Sequence, residues 1–146
     1  MKIKVICGAV VVKDNKFVIV QEAQGLVRGL WNIPAGHLDD EEDLKSAAVR
    51  EVKEETGLDV KLEGLIGIYQ HKSLHGNNVV GFYFKASVLG GELLINPVEI
   101  LDSKWVTFEE FLNYPENIVR ALLLKTVIKD YLDHGSVDNR INSGIN

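Results

Sequence analysis

The sequence has a single cysteine, Cys7, so no disulfide can form within the chain, which suits a reducing compartment. Proline is scarce, at 3 residues against 13 glycines, and no Pro- or Ser-rich linker interrupts the chain. It therefore reads as one folding unit over residues 1–134 followed by a polar, loosely held tail at 135–146. Basic charge is in deficit: 16 Lys+Arg against 21 Asp+Glu leave a net charge of −5. With no basic surplus there is nothing to displace counterions from a phosphate backbone, which excludes a nucleic-acid polymer as partner. Long hydrophobic runs are missing too. The apolar run at 5–12 ends at Lys13-Asp14-Asn15-Lys16 with no small-residue cleavage site. It falls far short of the roughly 20 residues that span a bilayer. The expectation is a cytoplasmic protein with no membrane partner.

What is present is ordinary globular material. Hydrophobic residues make up 46% and charged residues 25% of 146 positions, enough for a core that buries roughly 68–70% of the unfolded surface. Residues 3–12 and 17–22 are β-branched and apolar around the polar turn at 13–16, which predicts a hairpin. A loop at 24–29 leads to a short strand at 30–32, and Pro34 makes 33–36 irregular. Leu44, Ala47, Ala48 and Val52 recur at helical spacing and predict a helix at 44–56, with Gly57 placed to end it. Strands follow at 60–70 and 78–88, a turn at Gly90-Gly91, and a strand at 103–106. Thr107 and Glu110 have capping-box spacing at the head of a short helix. A long amphipathic helix spans 117–132. The pattern predicts an α/β (α+β) domain, a mixed sheet between helical layers.

The chemistry is concentrated in residues 36–58. On the 44–56 helix, Glu51, Glu54 and Glu55 stand at i, i+3 and i+4, so their carboxylates share one patch and repel by about 0.2–0.5 kcal/mol per pair. Alone, such a patch is a solvated acidic face. Three neighbours argue otherwise. Arg50 adjoins Glu51 and can orient its carboxylate through a charge-assisted bond. Glu42 lies eight residues ahead of Arg50, close enough to pair with it across the loop. Gly36 permits close backbone approach, so the carbonyl of Ala35 or Gly36 can face the patch. Carboxylates without His or Cys select hard cations, Mg²⁺, Mn²⁺ or Ca²⁺. Such a cation would also bridge an acidic site to an anionic substrate.

Residues 36–58 resemble, without departure, the Nudix hydrolase signature G-x5-E-x7-R-E-U-x-E-E-x-G-U, where U is aliphatic. The wider string Gly29-Leu30-Trp31-Asn32-Ile33-Pro34-Ala35-Gly36-His37-Leu38 is similar to a bacterial subgroup of small nucleoside-phosphate and thiamin-pyrimidine-pyrophosphate phosphatases. The resemblance implies a Nudix-type α/β/α sandwich and Mg²⁺-dependent attack of water on phosphorus in a small organic di- or triphosphate, with Mn²⁺ able to substitute. It implies metal ligation by Glu51 and Glu55, with Glu54 sharing a metal and the Ala35 carbonyl completing the shell. Glu42 and Arg50 would hold these carboxylates. The general base would be Glu51 or Glu54, with Glu99 of the polar stretch 96–102 as second choice. A homodimer is expected on family grounds.

Arg28, Trp31 and Glu99 are the candidate substrate contacts, Arg28 and Lys72 as phosphate grips and Trp31 as a base-stacking ring, although Trp31 beside Leu30 and Ile33 also suits packing. His71 and His75 flank a hairpin loop and suit a surface or substrate-edge role. Cys7 reads as a small core residue. Two other readings stay in view. A nucleotide-sensing module would tolerate a degenerate signature, and this one is intact. An isoprenoid diphosphate isomerase on the same scaffold would need a catalytic cysteine.

Overall fold

The computed structural model describes residues 2–137 and 141. The first two strands, β1 (Ile3–Lys13) and β2 (Lys16–Glu22), form the expected hairpin. Its turn is made by Asp14 and Asn15, both at positive φ of 52° and 61°, the pair of left-handed residues that a two-residue turn needs to match strand twist. Two short strands follow, β3 (Trp31–Asn32) and β4 (Ala35–His37), and then α1 (Leu44–Thr56). The long strands β5 (Leu58–Lys72) and β6 (Asn78–Gly91) lead to β7 (Ile100–Thr107), α2 (Phe108–Leu112) and α3 (Leu123–His134).

The seven strands form one mixed sheet. Strand β1 lies parallel to β6 and antiparallel to β4, and β5 closes the sheet on the far side of β6. Strand β2 carries β3 on one edge and β7 on the other. Side chains alternate across β1. Ala9 and Val11 meet Val52 of α1, and Cys7 meets Ala47 and Ala48, while Val10 faces Leu124, Val127 and Ile128 of α3. Both faces are covered, which is why β1 is apolar at successive positions instead of alternating with polar ones. The result is the expected α/β/α sandwich with a mixed sheet. Among the described residues no helix is long and apolar enough to cross a membrane.

Three sequence expectations need correction. The irregular stretch at 33–36 is only half irregular: Ala35 and Gly36 begin β4, paired with Gly8 and Cys7, and the Pro34 carbonyl accepts from the Ala9 N–H at 3.1 Å. The glycine turn at 90–91 is instead the end of β6, opposite Asp59 and Leu58. A Cβ on Gly91 would lie 2.5 Å from the Gly57 carbonyl oxygen, so glycine serves close approach there. The single helix at 117–132 is divided. A 3-10 turn at Glu116–Ile118 gives way to Val119, bridged in parallel to Trp31, and α3 starts only at Leu123. The shift changes which side chains are buried, leaving Leu122 and Leu132 exposed.

The expected loose tail at 135–146 lies mostly outside the described residues. Within them, Val137 pairs with Leu65 and the Ser136 hydroxyl donates to the Glu63 carbonyl.

Candidate active site

Helix α1 is fixed at both ends. The Asp43 side chain accepts from the Ser46 N–H at 2.7 Å, and Gly57 ends the helix at φ 79° with its N–H on the Lys53 carbonyl. Between these caps the helix turns Ala47, Ala48 and Val52 to the sheet. That orientation carries Glu51 and Glu55 to the margin of the core, where both are buried, and leaves Glu54 exposed.

Arg50 organises the acids. Its Nε and Nη2 donate to the two oxygens of Glu42 at 2.7 and 2.9 Å, a bidentate fork. Its Nη1 donates to Glu51 at 2.8 Å and to Glu54 at 3.2 Å, and Nη2 also reaches the His37 carbonyl at 3.0 Å. The hydrogen bond from Arg50 holds the Glu42 carboxyl below the usual carboxylate range. Glu51 is pushed up by burial, against the pull of Arg50. Glu55 goes furthest. Burial drives its carboxyl well above the usual range, the charges of Glu22 and Glu51 add to this, and the Ala35 N–H, at 2.9 Å from Oε1, opposes it. Gly36 makes room for the cluster: a Cβ there would sit 2.2 Å from the Glu51 carboxyl carbon.

These residues open onto a cavity of about 450 Å³. Glu51, Glu55, Ala35 and Gly36 line it from the α1–β4 side, and Glu22 and Glu99 line it from β2 and the segment before β7. Among the described residues no three His, Cys, Asp or Glu converge into a ready metal-ligand group. The cavity still holds a surplus of carboxylate around a buried acid with one backbone donor. An oxygen-only donor set of this kind suits a hard cation.

The structure brings Glu51, Glu55, the Ala35 backbone and Glu99 to one cavity, with Arg50 and Glu42 tied directly behind Glu51. It places Glu54 on the outer side of the cluster. Trp31 does not line the cavity. It is packed in the core beside Ile33, with the Lys104 ammonium 4.6 Å from its ring centre. Arg28 does not line it either: its guanidinium turns back to the Ala23 carbonyl and braces its own loop. Lys72 faces a neighbouring groove, whereas His71 and His75 do line the cavity.

Sequence reasoning missed Glu22, Asn32, Lys4 and Arg120, all on the cavity wall. Glu22 carried one signal, a charged residue just past the apolar stretch 17–20 of its strand, and Asn32 donates to its carboxylate at 3.0 Å. Arg120 carried none, since the helical periodicity assigned to 117–132 hid the break beside it.

The NUDIX domain model matches residues 2–127. The chain is 32% identical over 124 residues to ADP-ribose pyrophosphatase of Methanocaldococcus jannaschii, covering 84% of this chain and 69% of that protein. It is 36% identical over 112 residues to Nudix hydrolase 2 of Arabidopsis thaliana, covering 74% of this chain but spanning only 40% of the plant protein's length. A NUDIX hydrolase structure from Nitrosomonas europaea superposes with a TM-score of 0.83 at 29% identity, over 92% of each chain.

Proposed function

The chain belongs to the NUDIX domain family, and from that premise we propose that it is a divalent-metal-dependent hydrolase of a small organic di- or triphosphate, with water attacking phosphorus. The observation that carries this reading is the cavity wall itself: Glu51 and Glu55 from α1 face Glu22 and Glu99, and Arg50 holds Glu51 from behind.

Glu51, Glu55 and the Ala35 carbonyl would hold the cation, Mg²⁺ or Mn²⁺, with Glu54 joining when released from Arg50. The cation supplies positive charge that neutralises the phosphate oxygens and stabilises charge developing in the transition state. The chain's own residues do the rest. Arg50 and Glu42 fix the Glu51 rotamer through the bidentate fork, so little reorganisation accompanies reaction. Gly36 keeps backbone close to the carboxylates without filling the space. Glu99 reaches the cavity with no hydrogen-bond partner for its carboxylate among the described residues, which leaves it free to accept the proton of the attacking water. Glu51 is the other carboxylate in reach of that role.

The name of the archaeal relative points to a nucleoside diphosphate linked to a second group as the first substrate to try. The test is release of orthophosphate and of pyrophosphate from a panel of nucleoside di- and triphosphates, ADP-ribose, dinucleoside polyphosphates and thiamin-pyrimidine pyrophosphate, with Mg²⁺, Mn²⁺ or EDTA. Metal-dependent turnover of one class, lost in EDTA, is expected. Folded protein that hydrolyses none of them with either metal would overturn the proposal.

A further inference from the structure

The cavity is chemically two-sided. Its acidic wall faces a second set of residues, Lys4, His71, Ser73, His75 and Arg120. The strand register builds part of this set: Lys4 of β1 and His71 of β5 flank Val79 of β6 in one row across the sheet. Arg120 comes from elsewhere. Its N–H donates to the Trp31 carbonyl at 2.8 Å, and Val119 before it is bridged to Trp31. The backbone that carries Arg120 is therefore held by the sheet, not by a free loop. Its side chain is half-buried, and among the described residues the guanidinium has no ion pair or hydrogen bond. None of the cavity's carboxylates pairs with it. Arg120 also lines a second groove of about 260 Å³, shared with His71, Ser73 and Leu123, so it stands where the two spaces join.

We propose that Arg120, with His71 and Ser73 beside it, forms an anion subsite for the phosphoryl group of the substrate that the carboxylate wall does not engage. This deepens the hydrolase reading and rests on it. A planar guanidinium offers parallel N–H donors that match two oxygens of one phosphate. Left half-buried without a partner it is costly, and a ligand oxyanion removes that cost. The position also orders the substrate along the cavity. The scissile phosphorus lies toward Glu51 and Glu55, the second phosphoryl lies at Arg120, and any ester group on that second phosphoryl extends into the adjoining groove.

Titration calorimetry with inorganic diphosphate in EDTA tests the subsite without turnover, because hydrolysis needs the metal and the carboxylate wall offers the anion no second place to bind. Glu55→Gln should bind diphosphate at least as tightly as wild-type protein, because it carries no charge at that position of the wall. Arg120→Gln should bind about tenfold more weakly with an unchanged melting temperature. Arg120→Lys should fall between, keeping the charge and losing the fork. With Mg²⁺ and a substrate from the panel, Arg120→Gln should raise KM about tenfold and leave kcat within about twofold. No diphosphate binding by either wild type or Glu55→Gln, or equal affinity in wild type and Arg120→Gln, overturns the subsite. Should Arg120→Gln melt early, Arg120→Lys decides, and wild-type affinity in that variant overturns the fork. The two proposals fail separately. Arg120-dependent binding without any turnover sinks the hydrolase, whereas Glu55-dependent turnover with an unchanged KM in Arg120→Gln sinks the subsite.

Discussion

Glu55 concentrates the tension between stability and function. Its carboxyl is buried beside Glu22 and Glu51 with one N–H donor, so the folded chain holds the Glu55 proton more tightly than the unfolded chain does. Without metal, its contribution to stability is fully present below the ordinary carboxylate range and is lost as pH rises through the elevated folded value. Glu55→Gln imitates the protonated acid and keeps an oxygen for the Ala35 N–H. In EDTA at neutral pH it should unfold later than wild type, by on the order of 1–3 kcal/mol, while turnover disappears at every Mg²⁺ concentration. Thermal melts and a metal-supplemented assay check the two halves. A well-folded variant that still turns over would contradict the ligand assignment. Gly36 is tuned in the opposite sense. The Cβ of Gly36→Ala would land on the Glu51 carboxylate, and Glu51 must then rotate away from Arg50. A fall in kcat of at least about tenfold is expected, with secondary structure by circular dichroism unchanged.

Elements were legible where their causes are local. Helix α1 could be read from its apolar spacing and Gly57, and the site acids came with it, because one helix and its cap fix Glu51 and Glu55 relative to Arg50. The hairpin turn and the Thr107–Glu110 capping box were legible for the same reason. What escaped was non-local. The division between Glu116–Ile118 and α3 follows from the pairing of Val119 with Trp31, residues far apart in sequence, and nothing in their neighbourhood announces it. The cover over the Trp31 ring is non-local as well, since it comes from Lys104 of β7. Glu22 and Arg120 reach the cavity only once β2, β3 and segment 119–123 are assembled. Helix α3 is held across the sheet by the Tyr69 hydroxyl, which donates to Asp130 at 2.7 Å. Tyr69→Phe should cost about 0.5–1.5 kcal/mol, or more if Asp130 is left without solvent. Denaturant unfolding measures that loss, and kcat should stay near the wild-type value because neither residue touches the carboxylate wall.

At the scale of the whole molecule, the net charge of −5 and the acidic cavity wall both oppose a polyphosphate ligand. Cation and substrate should therefore bind cooperatively, each removing repulsion that hinders the other. Without a cation the same surplus charge would weaken the fold, because α1 packs against β1, β4 and β5 while holding like charges at the margin of the core. A cation that binds only the folded chain adds RT ln(1 + [L]/Kd), about 2.7 kcal/mol at one hundred times Kd. For a chain of this size that corresponds to a rise in Tm of about 5–11 °C, at roughly 2–4 °C per kcal/mol. Mg²⁺ titrated into EDTA-stripped protein should raise the melting temperature progressively, and Glu55→Gln, starting from a higher baseline, should lose most of that rise. Arg120→Gln should keep it in full, because the guanidinium lies outside the carboxylate cluster. An equal Mg²⁺ response in wild type and Glu55→Gln would place the cation elsewhere on this acidic surface and separate stabilisation by metal from the cavity altogether.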